Sequence, residues 1–522
     1  METRAAVQLA EDILTDHFGD VVGRVGVVLL EKGPLAMSEL IRFTSESKNF
    51  TDEPLKFPQL RNALLVMLQH CILSTRPHPQ AQTVGLPLVP QIYTIHISQI
   101  LCRCRFPRYL EVITWTHGKP GQVTQVAPQM LLTVLSHGRM QQSMAIATTK
   151  RKDDEITTKE AGDALKALVK DRLVVTVSPY VTADEEPSPS EGQNGTDKKE
   201  ELTSPDVKRQ KISSSEAASP LQVAIADPVL CLNRRALNLL LHKKLLERIV
   251  EHRAGQRAAQ AMSILLMRVA LPENGAPIKG EYFRWEEICE YWQKLFHDPG
   301  RNPERELDGL KQVLEILKKE TKGAVRKRSV QLQGSRENVE EWTVEWSKAR
   351  DLLHSVVRSQ VLRDRFGEMG LRILNLLNEK DTPQKLEENE IFHVCMIPQT
   401  EGREMLNAMV KSHLINLQEV SRGAAGGTSH SATGVNMGMS YWLYYIDRAQ
   451  VEGTLLQMAL KAMLNLRIRF RVERMKSLAL ESRQSSLSQE EQNLLRHLQI
   501  REDALERSFL LLDAVLLGLE CA

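Results

Sequence analysis

Two short basic clusters are the positions where this sequence most plainly offers binding chemistry. They are Arg326-Lys327-Arg328 and Lys150-Arg151-Lys152. Adjacent cations can neutralise the backbone phosphates of a nucleic acid, and such contacts weaken as the salt concentration rises. The first cluster is predicted in the turn of a strand hairpin, and the second in a loop before a helix. The alternative for each is an ordinary solvated loop, or contact with an acidic partner protein.

The cysteines do not show the spacing of a metal site or a disulfide framework. Cys102 and Cys104 are the only close pair, and on a strand both would face the same side. A zinc site would need two further ligands, with His96 and Cys71 as candidates, but closed zinc sites usually bring knuckle spacings. We therefore expect no metal and no cofactor. An odd set of seven scattered cysteines without a CxxC pair favours a reducing compartment.

Catalytic motifs are also missing from the sequence. It contains no phosphate loop, no GxSxG elbow, no HExxH and no glycine-rich fingerprint after a predicted strand. Its 14 histidines are scattered. We therefore expect a protein that binds other molecules and is not an enzyme.

Length and charge restrict the class of protein further. A chain of 522 residues predicts several domains. Hydrophobic residues make up 42% and aromatic residues 5%, which favours helix-rich cores over a β-sandwich. With 68 basic and 66 acidic residues the net charge is +2, so coating of nucleic acid by bulk charge is excluded. Without a signal peptide or a long apolar run, we expect an intracellular protein.

An eleven-residue pattern occurs three times and predicts the elements that carry these residues. The copies are Ala63–Leu73, Ala164–Val174 and Met405–Ile415. In each, apolar residues recur three and four apart, as on one helix face, and a polar break leads into a short strand. A helix that passes into a strand in this way is typical of a winged-helix domain. Since the copies contain few basic residues, we interpret them as the packing cores of the modules.

A second repeat supports duplication. His17-Phe18-Gly19 and Arg365-Phe366-Gly367 are each followed by Arg, Leu, Glu and Lys at the same offsets. The first and the last module therefore begin alike as well as end alike.

These patterns predict a mainly α protein with small β-wings, made of four tandem winged-helix modules and a C-terminal antiparallel coiled-coil hairpin. Leu510–Leu519 is apolar on more than one face, so this end is expected to meet another module or subunit. A disordered linker is predicted between the second and third modules, and it contains Lys208-Arg209-Gln210-Lys211. This run is either a nuclear-import or phosphate-binding patch, or a set of solvated residues with no such role. The last wing loop is expected within Gly423–Gly438. The predicted boundaries are 1–98, 99–181, 182–227 for a disordered linker, 228–346, 347–447 and 448–522 for the hairpin.

The order of parts resembles the third-largest subunit of RNA polymerase III, the largest member of that enzyme's specific heterotrimer. The resemblance is carried by His17 to Gly33, by Arg105-Phe106-Pro107-Arg108-Tyr109, by Met396-Ile397-Pro398 with Met405 to Val420, and by Tyr441 to Asp447. That family is similar to the large subunit of TFIIE. The resemblance implies four winged helices and a hairpin seated on the polymerase clamp. It further implies a nuclear protein with two heterotrimer partners that contacts TFIIIB and helps to open promoter DNA.

Three functions compete at this point. The leading hypothesis is a non-catalytic polymerase subunit that stabilises melted promoter DNA, with single-stranded DNA favoured over a specific duplex. The second is an assembly scaffold whose winged helices all bind protein, which the near-neutral charge favours. The third, a sequence-specific regulator, lacks a strongly basic recognition helix.

Overall fold

The computed structural model is mainly helical with small antiparallel sheets. It describes residues 4–46, 55–77, 91–117, 126–152, 156–177, 227–270, 278–296, 303–331, 338–378, 384–421, 440–483 and 488–520. The side chain of Lys152, the linker patch 208–211 and the predicted wing loop 423–438 lie outside this description. None of the described helices is both long and apolar enough to cross a membrane.

The first unit, residues 4–101, consists of helices followed by a strand hairpin. Its three strands form an antiparallel sheet in the order β1-β3-β2. Its elements are α1 (Arg4–Phe18), α2 (Asp20–Lys32), β1 (Leu35–Ala36), α3 (Met37–Glu46), α4 (Phe57–Gln69), β2 (Leu73–Pro77), β3 (Gln91–Ile95) and α5 (Ile97–Leu101).

The second unit, residues 102–232, starts with a 3-10 turn at Cys102–Arg105. Cys102 and Cys104 therefore lie on a helical turn and not on a strand. The helical turn leads directly into the next helix, because the apolar residues beyond it recur with helical spacing. The following elements are α6 (Phe106–His117), α7 (Ala127–His137), β4 (Met140–Gln141), α8 (Gln142–Lys152), α9 (Thr158–Lys170), β5 (Val174–Val177) and β6 (Val229–Leu232).

Strand β6 corrects the predicted boundary between the second and third modules. It pairs with β5 from Val174↔Leu232 to Val177↔Val229, and with β4 on its other edge. Residues 229–232 therefore complete the second sheet, in the order β4-β6-β5, and do not begin a third module. The stretch predicted as a linker lies between two strands of one sheet. It is an insertion into the second unit.

The third unit, residues 234–344, and the fourth, residues 346–445, repeat the arrangement. Their three-stranded sheets have the orders β9-β11-β10 and β12-β14-β13, so the last strand is again central. The third contains α10 (Arg234–Ala254), α11 (Gln256–Met267), β7 (Val269–Ala270), β8 (Lys279–Gly280), β9 (Phe283–Arg284), α12 (Trp285–Phe296), α13 (Pro303–Glu320), β10 (Val325–Gln331) and β11 (Asn338–Val344). The fourth contains α14 (Trp346–Leu377), β12 (Leu386–Glu387), α15 (Glu388–Cys395), α16 (Gln399–Lys411), β13 (Asn416–Ser421) and β14 (Ser440–Tyr445).

The three copies of the eleven-residue pattern share one backbone solution. Helices α4, α9 and α16 each end two residues before a left-handed residue, which is Cys71, Arg172 or His413, with φ of 57° or 58°. In the first copy Cys71 N–H bonds to Leu68 O (3.0 Å) and Ile72 N–H to Met67 O (2.9 Å), and the other copies repeat this pair. This is a Schellman helix end, in which the residue after the turn packs back on the helix. The pattern thus encodes a helix stop that directs the chain into a wing strand.

The second repeat also has a backbone cause. Gly19 (φ 89°, ψ 168°) separates α1 from α2, and Gly367 (φ 67°, ψ −172°) interrupts α14. This region of backbone space is open essentially to glycine alone. Gly255 (φ 89°, ψ 171°) separates α10 from α11 in the same way. The repeat in the sequence did not reveal this third instance, because the residues around Gly255 differ from those around Gly19 and Gly367.

Long helices fuse neighbouring units. Helix α10 buries Leu237 and Leu241 in the second core and Leu246 in the third. Helix α14 buries Leu353 in the third core and Phe366 in the fourth. Because one rigid helix serves two cores, adjacent units cannot move apart without exposing apolar side chains.

Two long helices follow, α17 (Arg448–Glu481) and α18 (Gln489–Leu519). They lie side by side: Arg474 of α17 is paired with Glu502 of α18 (3.3 Å), and Leu480 packs with Leu495 and Leu498. We call the pair the terminal hairpin. Near the connection it is a two-helix stem, and at its other end it is buried among the units.

The end of α18 meets the units with consecutive residues, as the apolar run predicted. Leu516 lies in the core of the first unit, Leu517 in that of the second and Leu519 in that of the fourth. Between them, a Cβ atom at Gly518 would lie 2.7 Å from Val357 Cγ2 of α14. This last turn of α18 therefore ties together separate cores.

A buried ion pair holds the same helix against the start of the second unit. Arg105 Nε donates to Asp513 Oδ1 (3.0 Å), with the two side chains 1% and 0% exposed. Arg105 Nη2 donates to Glu520 Oε2 (2.6 Å), and Arg108 donates to the carbonyl of Leu510. Burial raises the pKa of the Asp513 carboxyl in spite of the nearby guanidinium. The stretch Arg105 to Tyr109 that carries the family resemblance is therefore a seat for α18.

We predict that Asp513→Ala lowers the free energy of unfolding by about 3–5 kcal/mol, because it leaves the Arg105 charge buried with only a half-exposed partner. The double variant Arg105→Met/Asp513→Leu should lose clearly less free energy of unfolding than the sum of the losses in the single variants Arg105→Met and Asp513→Leu. Denaturant midpoints measured by circular dichroism test this. Lys166→Met is the matched control: its exposed pair with Asp163 should contribute about 0–1 kcal/mol. Additive losses would contradict a coupled pair.

Candidate nucleic-acid interface

The cluster Arg326-Lys327-Arg328 lies within strand β10 and not in a turn, so its predicted position is wrong. Each of the three cations has a carboxylate partner. Arg326 pairs with Glu345 (2.5 Å), Lys327 with Glu340 (2.9 Å) and Glu315 (3.1 Å), and Arg328 with Glu341 (2.7 Å). Glu315 comes from α13, Glu340 and Glu341 from β11, and Glu345 from the position between β11 and α14. The local sequence around the cluster does not reveal these partners.

Pairing changes what these cations can do. The hydrogen bond from Lys327 to Glu340 raises the pKa of that lysine and lowers the pKa of the carboxyl. Arg328 also covers the ring of Tyr282, at 3.4 Å from the ring centroid. A phosphate would have to compete with carboxylates that also repel it. The cluster is therefore better suited to stiffening the wing than to holding a nucleic acid.

Lys150 and Arg151 lie in the last turn of α8 and not in a loop, which corrects that prediction as well. Both side chains are exposed, and neither forms an ion pair with a carboxylate in the described ranges. Cations at this end complement the helix dipole, and that is their structural role. They are also available to an anionic ligand.

A third group of cations, which we call the α13 lysine cluster, was missed by the sequence reasoning. Lys318 and Lys319 lie in the last turn of α13, and Lys322 follows in a left-handed conformation (φ 49°). Lys348 at the start of α14 lies alongside, since its Nζ is 3.6 Å from the position that a Cβ on Gly323 would take. All four are exposed, and no ion pair joins them to any carboxylate that the structure describes. The run Lys-Lys-Glu-Thr-Lys-Gly was the available signal, but it also signals a helix end.

Two arginines of the terminal hairpin, Arg467 and Arg471, are used inside the molecule. Arg471 pairs with Asp12 of α1 (2.9 Å), and both Arg471 and Arg467 contact Asp16. These two arginines attach the hairpin to the first unit. The aromatic strand β14 is partly buried in the fourth unit, apart from Trp442, which is 49% exposed.

The candidate zinc ligands are not brought together. His96 Nε2 is bonded to Ser74 Oγ (2.8 Å), whereas Cys71 contacts Cys231. Among the residues that the structure describes, no group of three or more His, Cys, Asp or Glu side chains is arranged to hold a metal.

A helical core closed by a three-stranded sheet with a long outer hairpin defines the winged-helix class. Comparison with known families agrees. The "RNA polymerase III subunit RPC82 helix-turn-helix domain" matches residues 8–74, in the first unit. The "POLR3C, C-terminal winged-helix domain" matches residues 359–432, in the fourth.

Curated relatives match most of the chain. It is 22% identical over 495 residues to DNA-directed RNA polymerase III subunit RPC3 of Rattus norvegicus, covering 89% of this chain and 83% of the relative. The RPC3 of Danio rerio is 23% identical over 519 residues, with coverage of 89% and 84%, and that of Homo sapiens 22% over 496, with 89% and 83%. Two family models and curated relatives over most of the chain support the RPC3 family of RNA polymerase III subunits.

We predict that replacing Lys318, Lys319, Lys322 and Lys348 by Gln weakens binding of single-stranded DNA and flattens its salt dependence. Each lost phosphate contact reduces the slope of log affinity against log salt by about 0.7. Replacing Arg326, Lys327 and Arg328 by Ala should change that slope much less, because Glu partners already neutralise them. Fluorescence anisotropy across a salt series distinguishes the two variants. Equal effects would contradict the assignment.

Proposed function

We propose that this chain is a non-catalytic subunit of RNA polymerase III that acts in promoter-specific initiation by stabilising open promoter DNA. The observation that carries the DNA role is the α13 lysine cluster, a set of exposed cations at the end of the third unit's last helix. Lys150 and Arg151 are a second candidate contact, and Arg326, Lys327 and Arg328 a weaker one. Similarity to RPC3 subunits supports the assignment to the polymerase and, with it, a nuclear location.

The proposed architecture is four winged-helix units and a terminal coiled-coil hairpin. The four sheets with the central last strand support this count. The proposed domains are residues 1–101, the second unit with its insertion at 102–232, then 233–344, 345–447 and the hairpin at 448–522. The proposed partners are two heterotrimer subunits, the polymerase clamp and TFIIIB.

Such a subunit would act by differential binding and without chemistry of its own. Contacts made to melted DNA and not to duplex DNA shift the opening equilibrium towards the open state. A difference of about 1.4 kcal/mol changes the ratio of open to closed promoter tenfold.

The second candidate function is a protein-binding scaffold without DNA contact. Exposed apolar side chains favour it. Met396, in the left-handed turn between α15 and α16, is 87% exposed and Val394 is 58% exposed. On α17, Ile468, Val472 and Met475 are 50%, 50% and 69% exposed. Apolar groups of this kind usually mark protein contacts when they lie in a continuous patch.

One experiment separates the two functions. We expect polymerase III carrying the four-lysine Gln variant to assemble normally but to show several-fold less permanganate reactivity at unpaired promoter thymines. Subunit stoichiometry by native mass spectrometry is the control for assembly. Met396→Asp is the matched variant and should impair assembly first. Normal promoter opening by the lysine variant would contradict the DNA role and favour the protein-binding scaffold.

A further inference from the structure

Two thiols from different units meet where α4 ends. Cys71, the left-handed residue after α4, belongs to the first unit, and Cys231 lies in strand β6 of the second. Their Sγ atoms are 3.5 Å apart, although 160 positions separate them in the chain. The equivalent turns carry Arg172 and His413, so the backbone conformation itself does not require a cysteine.

Hydrogen bonds between the two units fix this contact. Arg139 N–H donates to Gln69 O (2.8 Å), and Gln69 Nε2 donates to His137 O (2.8 Å). Arg234 Nη2 donates to His70 O (2.7 Å). The carbonyls at the end of α4 thus receive donors from the second unit and from Arg234 at the start of α10. These hydrogen bonds keep the two sulfur atoms close together, although neither sulfur takes part in them.

The surroundings favour a thiolate on Cys71. Cys231 is in hydrogen-bond contact, and together with Arg139 and Arg234 it lowers the pKa of the Cys71 thiol against the opposing effect of burial. Arg139 Nε lies 3.2 Å from Cys71 Sγ. Burial, reinforced by Arg103, lowers the pKa of the adjacent His70 to about 4, so that ring is neutral near pH 7. Elsewhere burial raises the pKa of Cys289 to about 11 and also raises that of Cys395.

We propose that Cys71 and Cys231 form a reversible disulfide that locks the first unit to the second when the protein meets a peroxide. The Cys71 thiolate attacks hydrogen peroxide, the O–O bond breaks, and sulfenic acid and hydroxide form. The Cys231 thiol then attacks the sulfenic sulfur and water leaves. Two thiols and one peroxide give one disulfide and two waters. The sulfurs need to approach by about 1.5 Å to reach disulfide length.

The first test uses the full-length wild-type chain. After brief treatment with hydrogen peroxide, blocking with iodoacetamide and digestion without reduction, mass spectrometry should detect a peptide joining Cys71 to Cys231. Dithiothreitol should release it. In untreated protein, alkylation of Cys71 at pH 7 should be at least about tenfold faster than that of Cys289. Equal rates, or oxidation of Cys71 without the joined peptide, would overturn the proposal.

Variants separate the two steps. Cys231→Ser should leave a sulfenic acid on Cys71 that dimedone traps, and no joined peptide. Arg139→Gln should slow peroxide oxidation of Cys71 at pH 7 by about threefold or more, because the thiolate loses its nearest cation. Cys289→Ser, outside the junction, should behave like the wild type. An unchanged rate in Arg139→Gln would overturn the proposed attack by a Cys71 thiolate, and joining of Cys71 to another cysteine would overturn the proposed pair.

Discussion

The last turn of α18 is the constraint on which the arrangement of the units depends. Leu516, Leu517 and Leu519 are buried in three different cores, and Gly518 is tight against α14. A helix turn distributes successive side chains around its axis, so one turn can serve several neighbours only if they surround it. Removing it would expose apolar surface in several units at once. The buried pair of Arg105 and Asp513, one turn earlier, orients the same helix by charge.

Ion pairs within the chain decide which basic residues remain available for binding. The hairpin arginines nearest α1 are paired with Asp12 and Asp16, and the cations of β10 are paired with glutamates. Lys150 and Arg151 at the end of α8 and the α13 lysine cluster are among the exposed cations that have no carboxylate partner in the described parts of the chain. Binding of nucleic acid by these groups would be local and salt-sensitive, unlike that of a uniformly basic protein.

Much of the fold could be predicted from the sequence because its signals are local. Apolar spacing indicated the helices before each wing, the paired Phe-Gly motifs marked Gly19 and Gly367, and the apolar run of α18 indicated a buried end. The pairing of β6 with β5 could not be predicted from local patterns. About fifty residues separate the two strands, and their register is set only when they pair in the folded protein. The carboxylate partners of Arg326, Lys327 and Arg328 could not be predicted for the same reason. Whether Arg326 is free depends on Glu345, which only the folded β10 and β11 bring near.

The repeated helix stop shows how related units can acquire different roles. The left-handed residue after the helix is Cys71 in the first unit, Arg172 in the second, Lys322 in the third and His413 in the fourth. The backbone hydrogen bonds define the turn, so the side chain there is free to vary. Around Cys71 the turn seats the second unit, and the His413 carbonyl accepts a bond from Gln450 of the hairpin (3.0 Å). Lys322 instead faces solvent within the α13 lysine cluster. The same structural position therefore serves internal docking in two units and an exposed charge in a third, and this explains why sequence repetition indicated architecture and not function.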